Sequence, residues 1–164
     1  MAGDIDIKSL KKAKTNVNLE KVDFVLLDAH NLPFCEKCFN VTTLIDVLEH
    51  LKHPEEALVE AKRCTKEKIL INVPNYNFLV MLYPNMLPEH FKEPCHLHHT
   101  NVKLLCKWLK DAGLKNIKLY GSYIPMPYFL IPISYIIEFF CKLFNVRPRR
   151  IHFQISCEVI LKMQ

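Results

Sequence analysis

Acidic side chains lie at or near the ends of three short apolar runs that read as β-strands. Asp4 lies near the end of the first, Asp28 follows the run Val22 to Leu27, and Asp46 follows the run Phe39 to Ile45. In an open parallel sheet, ligands bind outside the carboxyl ends of the strands. A carboxylate there can accept hydrogen bonds from ribose hydroxyls, and a second can accept one from the exocyclic amine of adenine. The spacing therefore indicates a ligand-binding site lined by hydrogen-bond acceptors.

The rest of the chain supplies the elements that must position these acids. Short β-rich runs alternate with helical stretches, which predicts an α/β domain with a mostly parallel sheet. Helices are expected at Ile7 to Lys14, at Pro54 to Cys64 and from a cap at Thr100 or Asn101 to a stop at Gly113. Further strands are expected at Lys68 to Val73, Asn116 to Tyr120 and Phe153 to Leu161.

Composition is that of a globular protein rather than a disordered one. The chain has 164 residues, 50% hydrophobic and 24% charged, which suits one domain and is too short for two. The net charge is +5, and the lysines are scattered along the sequence, so no nucleic acid partner is expected. The first residues do not resemble a secretory signal, and seven cysteines without one indicate reduced thiols. We therefore expect a cytoplasmic protein.

An ordered set of motifs runs from residue 25 to residue 75. It comprises VLLDAHNLPF (25–34), FNV (39–41), DVLEHL (46–51), PEEAL (54–58), EAKR (60–63) and ILINVPN (69–75). This set resembles the type-11 group of class I S-adenosylmethionine-dependent methyltransferases, which includes the quinone-biosynthesis methylases. The resemblance is close over residues 2–75 and looser to residue 121. It implies a Rossmann-like three-layer sandwich, S-adenosylmethionine as the cofactor, and methyl transfer to a small or lipid-like acceptor.

The resemblance also implies roles for individual residues. Asp4 matches the acid that binds the ribose, with Asp6 as the alternative, and Asp28 with Ala29 matches the position that contacts adenine. The segment from Asp46 to His50 would lie beside the reactive methyl group. We accordingly expect Asp4, Asp6, Asp28, Ala29 and Asp46 to form the cofactor site.

Histidines are the candidate catalytic residues. A sulfonium methyl group is already activated, so transfer mainly requires the nucleophile to be held close and in line. An oxygen or nitrogen nucleophile also needs a proton removed, which suits the ordinary pKa of histidine. His50, His98 and His99 are the candidates, the last two from a cluster that also contains His96. His50 could equally start a helix and pack beside the site.

Glycine is scarce, with Gly3, Gly113 and Gly121 the three in the sequence. Members of the family begin with a strand and a glycine-rich turn that this sequence lacks, and that strand lies in the middle of their sheet. Its absence should leave two strand edges unpaired. Three arrangements are open: the chain is a fragment, the flanking strands pair directly, or a partner chain supplies the strand. We expect weak or absent cofactor affinity for the chain alone.

Two other functions compete with methyl transfer. The first is a degenerate, non-catalytic relative that keeps the fold and needs a partner chain. The second is a zinc-binding module, since Cys35 and Cys38 form a closely spaced pair that the cluster at 95–99 could complete with Cys95, His96, His98 and His99. The methyltransferase interpretation itself assigns no metal ligands.

The most apolar part of the chain runs from Tyr123 to Val146. We interpret residues 1–164 as a single partial methyltransferase domain with an apolar insertion at about 123–147. Pro125, Pro127 and Pro132 interrupt its first half, and the remaining helix is too short to span a bilayer. A helix that covers the acceptor pocket or faces a partner is predicted. Peripheral membrane contact through residues 123–150 would suit a lipid-linked acceptor.

Overall fold

The computed structural model describes residues 1–16, 22–76, 95–121 and 154–161. Strands and helices alternate through these ranges as the sequence predicts. In chain order they are β1 (Ala2–Asp4), α1 (Ile7–Asn16), β2 (Phe24–Leu26), β3 (Phe39–Ile45), α2 (Pro54–Cys64), β4 (Thr65–Pro74), α3 (Val102–Asp111), β5 (Ile117–Gly121) and β6 (Gln154–Ile160). A short 3-10 turn, Leu48–His50, follows β3.

The strands form two separate sheets over the described residues. β1 and β2 pair in parallel, and the larger sheet has the order β3-β4-β6-β5. β3 and β4 are parallel, whereas β6 is antiparallel to both of its neighbours, so this sheet is mixed and not mostly parallel as the sequence predicts. Within the ranges that the structure describes, β1 and β3 are each paired on one side, and they do not pair with each other. The alternative in which these two strands close the gap directly is therefore wrong.

One face of the larger sheet carries the hydrophobic core. Side chains alternate between the two faces of a strand, so every second residue of β4 and β6 points toward α2 and α3. These strand residues are almost fully buried: Ile69, Ile71, Val73, Ile155, Cys157 and Val159. The two helices contribute Leu58, Ala61, Leu105, Trp108 and Leu109. This packing fixes the end of β3, which leads into the candidate site.

The opposite face is open along β3. Val41, Thr43 and Ile45 are exposed there, with Ile45 at 60% of its full area, and the neighbouring Leu70 of β4 is exposed as well. An exposed apolar surface of this kind marks a place where something else packs. β3 therefore has an exposed apolar face and, among the described residues, one edge without a paired strand.

Helix ends follow the expected capping signals. The Asp6 carboxylate accepts hydrogen bonds from two amides in the first turn of α1. Pro54 occupies the first turn of α2, where its missing N–H is harmless. Of the two caps that the sequence allows for α3, Asn101 is the one used, because its side chain accepts from the Leu104 amide at 3.0 Å. Gly113 follows that helix with a φ of +65°, a conformation that favours glycine.

The apolar insertion at about 123–147 lies outside the described residues. Across the ranges that are described, no helix has both the length and the apolar character needed to cross a membrane.

Candidate active site

Asp4 and Asp28 lie at the carboxyl end of the small sheet formed by β1 and β2. β1 and β2 are parallel, with Asp4 opposite Leu26, and the Leu27 amide donates to the Asp4 carbonyl oxygen at 3.0 Å. Asp28 follows directly, so both carboxylates come at the carboxyl ends of adjacent strands. Both residues are exposed. The structure thus brings together the two acids that carry the sequence argument.

His30, two residues further along the chain, orients the Asp28 carboxylate. Its Oδ1 accepts a hydrogen bond from the His30 amide at 2.9 Å and lies 2.8 Å from His30 Nδ1. These hydrogen bonds, the backbone one first, lower the pKa of the Asp28 carboxyl. Asp28 is therefore an ionised acceptor at neutral pH, and Ala29 lies half-buried in the turn between the two. The Nε2 of His30 is buried without a hydrogen-bond partner among the described residues.

The Asp6 side chain caps the N-terminus of helix α1. One of its carboxylate oxygens accepts from the Lys8 amide at 3.0 Å, and the other accepts from the Ser9 amide at 3.1 Å and the Ser9 hydroxyl at 2.9 Å. These hydrogen bonds, led by that of Lys8, lower the pKa of Asp6. One oxygen of the Asp4 carboxylate, Oδ1, accepts a hydrogen bond from the Asp6 amide at 2.8 Å. The geometry favours Asp4 over Asp6 as a ribose acceptor.

Asp46 turns the chain out of β3. Its φ is +49°, a left-handed conformation uncommon for a residue other than glycine, and its amide donates to the Asn72 carbonyl oxygen at 3.0 Å. The side chain is exposed. This turn leads into Leu48–His50, which places His50 beside the end of the larger sheet.

Glu49 is the residue of this region that the sequence argument missed. Its side chain is completely buried, and neither carboxylate oxygen has a hydrogen-bond partner among the described residues. Burial raises the pKa of Glu49 to about 7, and the nearby charge of Asp46 adds to the effect. Its place between Leu48 and His50 in the DVLEHL motif is the one signal available in the sequence.

The backbone of Glu49 holds the histidine-rich segment in place. Its carbonyl oxygen accepts hydrogen bonds from the amides of Leu97 at 2.9 Å and His98 at 3.2 Å. The Nδ1 of His50 lies 3.2 Å from the Cys95 carbonyl oxygen. As a result, the His50 and His96 rings meet edge to face, with 4.6 Å between their centres.

The histidines of the cluster point to different neighbours. His96 Nδ1 lies 3.0 Å from the Tyr76 hydroxyl, and the ring of the exposed His99 stacks on the Tyr76 ring with 4.5 Å between centres. His98 instead turns to the helical layer, where its Nε2 lies 2.9 Å from the Leu51 carbonyl oxygen and its ring contacts Trp108. The structure therefore groups His50 and His99 around His96 and Tyr76, and separates His98 from them.

The proposed zinc set is not assembled. Cys38 contacts the Cys64 carbonyl oxygen, near the end of α2, and Cys35 interacts with Cys38. Cys95 contributes its carbonyl oxygen to His50 instead. Among the described residues, the cysteine pair does not come together with the 95–99 cluster in a group of three or more metal-ligating side chains.

Comparison with known proteins shows what the chain is similar to. Residues 1–70 match the methyltransferase domain family of type 11. Solved structures with the same fold include a S-adenosylmethionine-dependent methyltransferase from Thermotoga maritima, which is 16% identical with a TM-score of 0.69, covering 98% of this chain and 72% of that one. The resemblance seen in the sequence is confirmed, and the fold is the Rossmann-like fold of the class I methyltransferases.

Two further proteins similar to this chain are matched over only part of their own length. The demethylmenaquinone methyltransferase of Paenarthrobacter aurescens (strain TC1) is 26% identical over 138 residues, which are 71% of this chain and 54% of the relative. The magnesium protoporphyrin IX methyltransferase of Synechocystis PCC 6803, solved with bound S-adenosylhomocysteine, is 11% identical with a TM-score of 0.58, covering 98% of this chain and 63% of that one. The chain spans about half the length of the first of these two.

Proposed function

We propose that this chain takes part in S-adenosylmethionine-dependent methyl transfer to a small or lipid-like acceptor. The observation that carries the proposal is the pair of exposed carboxylates, Asp4 and Asp28, at the carboxyl ends of two adjacent parallel strands. Ribose hydroxyls and the adenine amine are donors that such acceptors recognise.

The residues at this edge fit the nucleoside end of the cofactor. Contacts with His30 orient the Asp28 carboxylate and lower its pKa, and the buried Nε2 of that histidine has no partner among the described residues. Asp4 would hold the ribose, Asp28 and Ala29 the adenine, and Asp46 would lie toward the methionine end. The bound cofactor supplies an activated methyl group, so the chain's own task is to bind and orient the reactants.

A strand and a glycine-rich turn would complete the site between β1 and β3. Both strands are paired on one side only within the described residues, and the open face of β3 exposes Val41 and Ile45 beside that edge. Either a further segment of the same protein or a partner chain would fill this position. Until it is filled, the affinity for the cofactor should be weak, because none of the described residues approaches its methionine part from that side.

The acceptor would lie beside the turn Leu48–His50. His50 and His99 border this region and could accept a proton from the nucleophile, whereas the contacts of His98 with Leu51 and Trp108 support a packing role. The relative from Paenarthrobacter aurescens is named for a demethylmenaquinone acceptor. The apolar character of residues 123–147 agrees with an acceptor of that kind and with peripheral membrane contact through residues 123–150.

Saturation-transfer NMR with S-adenosylhomocysteine tests the nucleoside site, since it detects weak binding. The chain should transfer saturation to the adenine and ribose protons, and Asp4→Asn and Asp28→Asn should each abolish most of the transfer. Asp6→Asn is the matched control, because asparagine caps a helix about as well as aspartate. Absence of transfer at millimolar ligand, or equal transfer in the Asp4 and Asp28 variants, would contradict the proposal. Calorimetry that shows micromolar binding by the chain alone would contradict the expected weakness.

A non-catalytic relative that needs a partner chain is the second candidate, favoured by the unpaired edges of β1 and β3. Both candidates expect nucleoside binding through Asp4 and Asp28. They differ in the fate of a methyl-labelled cofactor once the strand is supplied, because the enzyme passes the label to an acceptor such as a demethylated quinone. The non-catalytic relative binds the cofactor and leaves the label on it.

A further inference from the structure

Three side chains that could bind a metal ion come together beside the turn after β3. Glu49, His50 and His96 each offer one ligand atom, and these atoms all lie within 4.8 Å of one another. We propose that they form a binding site for a divalent transition-metal cation, with Zn²⁺ as the ion that best suits the ligands. This set shares His96 with the cysteine and histidine set considered above, and it uses no cysteine.

The burial of Glu49 is the first argument. A carboxylate removed from water is costly unless it is paired, hydrogen-bonded or bound to a metal. The Glu49 side chain has no exposed area, and neither oxygen has a hydrogen-bond partner among the described residues. The neighbouring Asp46 adds a like charge rather than a compensating one. A cation at this position would supply the partner that the carboxylate lacks.

The outer contacts of the histidines are the second argument. Metal-binding histidines characteristically use their second ring nitrogen to contact a carbonyl or another polar group, which fixes the ring and its tautomer. His50 Nδ1 lies 3.2 Å from the Cys95 carbonyl oxygen. A carbonyl can only accept, so this nitrogen carries the proton and Nε2 keeps the lone pair. His96 Nδ1 lies 3.0 Å from the Tyr76 hydroxyl, which can donate or accept, so this contact orients the ring without fixing its tautomer.

The backbone sets the spacing of the ligands. The amides of Leu97 and His98 donate to the carbonyl oxygen of Glu49, so the segment carrying His96 is tied to the residue that supplies the carboxylate. Zinc binds nitrogen and carboxylate oxygen at about 2.0–2.2 Å, so two ligand atoms of one tetrahedral ion lie about 3.4 Å apart. Small side-chain rotations would draw the three atoms from their present spacing to that distance.

Two histidines and a carboxylate leave one coordination position open in a tetrahedral site. The ion would lie beside the expected position of the acceptor, where the open position could bind an acceptor oxygen and lower its pKa. This role rests on the proposed methyl transfer, whereas the binding of the ion does not.

Metal titration of the chain after removal of bound ions tests the site. Zn²⁺ binding by calorimetry and the visible spectrum of Co²⁺ should both report one site per chain. Glu49→Gln, His50→Gln and His96→Gln should each weaken Zn²⁺ binding about 100-fold or more, given that loss of an outer-shell partner alone typically costs about 10- to 100-fold. His53→Gln, at an exposed histidine of the same loop, and the pair Cys35→Ser with Cys38→Ser should bind as the parent does.

Thermal unfolding separates loss of ligands from loss of folding. Zn²⁺ should raise the midpoint of the parent chain and leave that of Glu49→Gln unchanged. Without metal and at a pH above about 8, where Glu49 is ionised, Glu49→Gln should unfold at a higher temperature than the parent, because the buried charge is gone. The site is refuted if the parent binds no ion, or if the cysteine variants lose binding while the Glu49 variant keeps it. Asp4→Asn and Asp28→Asn should bind Zn²⁺ normally, so failure of the nucleoside site would not be mistaken for failure of this one.

Discussion

Arg63 and Glu60 lie one turn apart on α2, and the guanidinium donates two hydrogen bonds of 2.7 Å to the two carboxylate oxygens. The same pair holds the loop that follows Asp28. Arg63 donates to the carbonyl oxygens of Phe34 at 2.6 Å and Leu32 at 2.9 Å, and Glu60 accepts from the Leu32 amide at 2.9 Å. The EAKR motif therefore joins the helical layer of the larger sheet to the loop that follows Asp28.

Replacement of Arg63 should loosen that loop. Arg63→Ala removes the donor shared by Glu60 and two carbonyl oxygens, and a loss of about 1–3 kcal/mol in the free energy of unfolding is expected for groups left without charge-assisted hydrogen bonds. Urea unfolding measures the loss. Arg63→Lys should recover little of it, because an ammonium lacks the planar fork that reaches several acceptors at once. Full recovery by lysine would show that the charge alone matters.

Glu60 should make stability depend on acid pH. Its hydrogen bonds, first with Arg63, lower the pKa of the Glu60 carboxyl in the folded state. The folded state then binds this proton less readily than the unfolded state, so Glu60 contributes stability above its ordinary pKa of about 4.3 and loses it as the pH falls through the folded value. Thermal midpoints measured from pH 7 down to pH 3 should therefore converge for the parent and Glu60→Gln.

Glu56→Gln is the control for that experiment, because Glu56 lies exposed on the same helix. Its midpoint should follow that of the parent across the whole range. A constant difference between the parent and Glu60→Gln at every pH would mean that the carboxylate charge makes no contribution.

Local signals were sufficient where an element is defined by its own residues. β3 and α2 have the predicted bounds, since a β-branched run ends at Asp46 and Pro54 with its acidic neighbours starts the helix. The sequence left open whether β1 and β3 pair directly, and among the described residues they lie in separate sheets. β4 begins at Thr65 rather than Lys68, since pairing with Phe39 extends it backward.

Tertiary contacts explain what the sequence could not indicate. The burial of Glu49 depends on the segment that contains His96 and His98 folding back onto its carbonyl oxygen from far along the chain. No local sequence pattern indicates that contact. The same contacts divide the histidine cluster, since His98 faces Trp108 and the others do not. Neighbours in sequence thus acquired different surroundings.

The cap of α3 gives a separate test of stability. Asn101→Ala removes the side chain that accepts from the Leu104 amide, and loss of such a cap typically costs about 0.5–2 kcal/mol. Asn101→Ser should retain most of the stability, because serine caps as effectively. Urea unfolding of both variants measures the difference. Equal stability of the alanine variant and the parent would assign the helix start to its neighbour Thr100.

His30 should help to lower the pKa of Asp28 and to orient its carboxylate. Its ring nitrogen lies 2.8 Å from Asp28 Oδ1, and its amide donates to the same oxygen at 2.9 Å. His30→Ala removes the ring and keeps the amide, so the pKa of the Asp28 carboxyl should rise toward its ordinary value without reaching it, given that the backbone hydrogen bond makes the larger contribution. NMR titration of the Asp28 carboxyl carbon measures this change.

The same variant also bears on the nucleoside site. With the ring gone, Asp28 loses a fixed orientation, so saturation transfer to the adenine protons of S-adenosylhomocysteine should fall while transfer to the ribose protons, near Asp4, is better preserved. His53→Ala, at an exposed histidine away from the small sheet, serves as the control and should leave both unchanged. An unaltered Asp28 pKa in His30→Ala would show that the amide alone holds the carboxylate. A uniform loss of transfer across the adenine and ribose protons would show that the two acids do not recognise separate parts of the nucleoside.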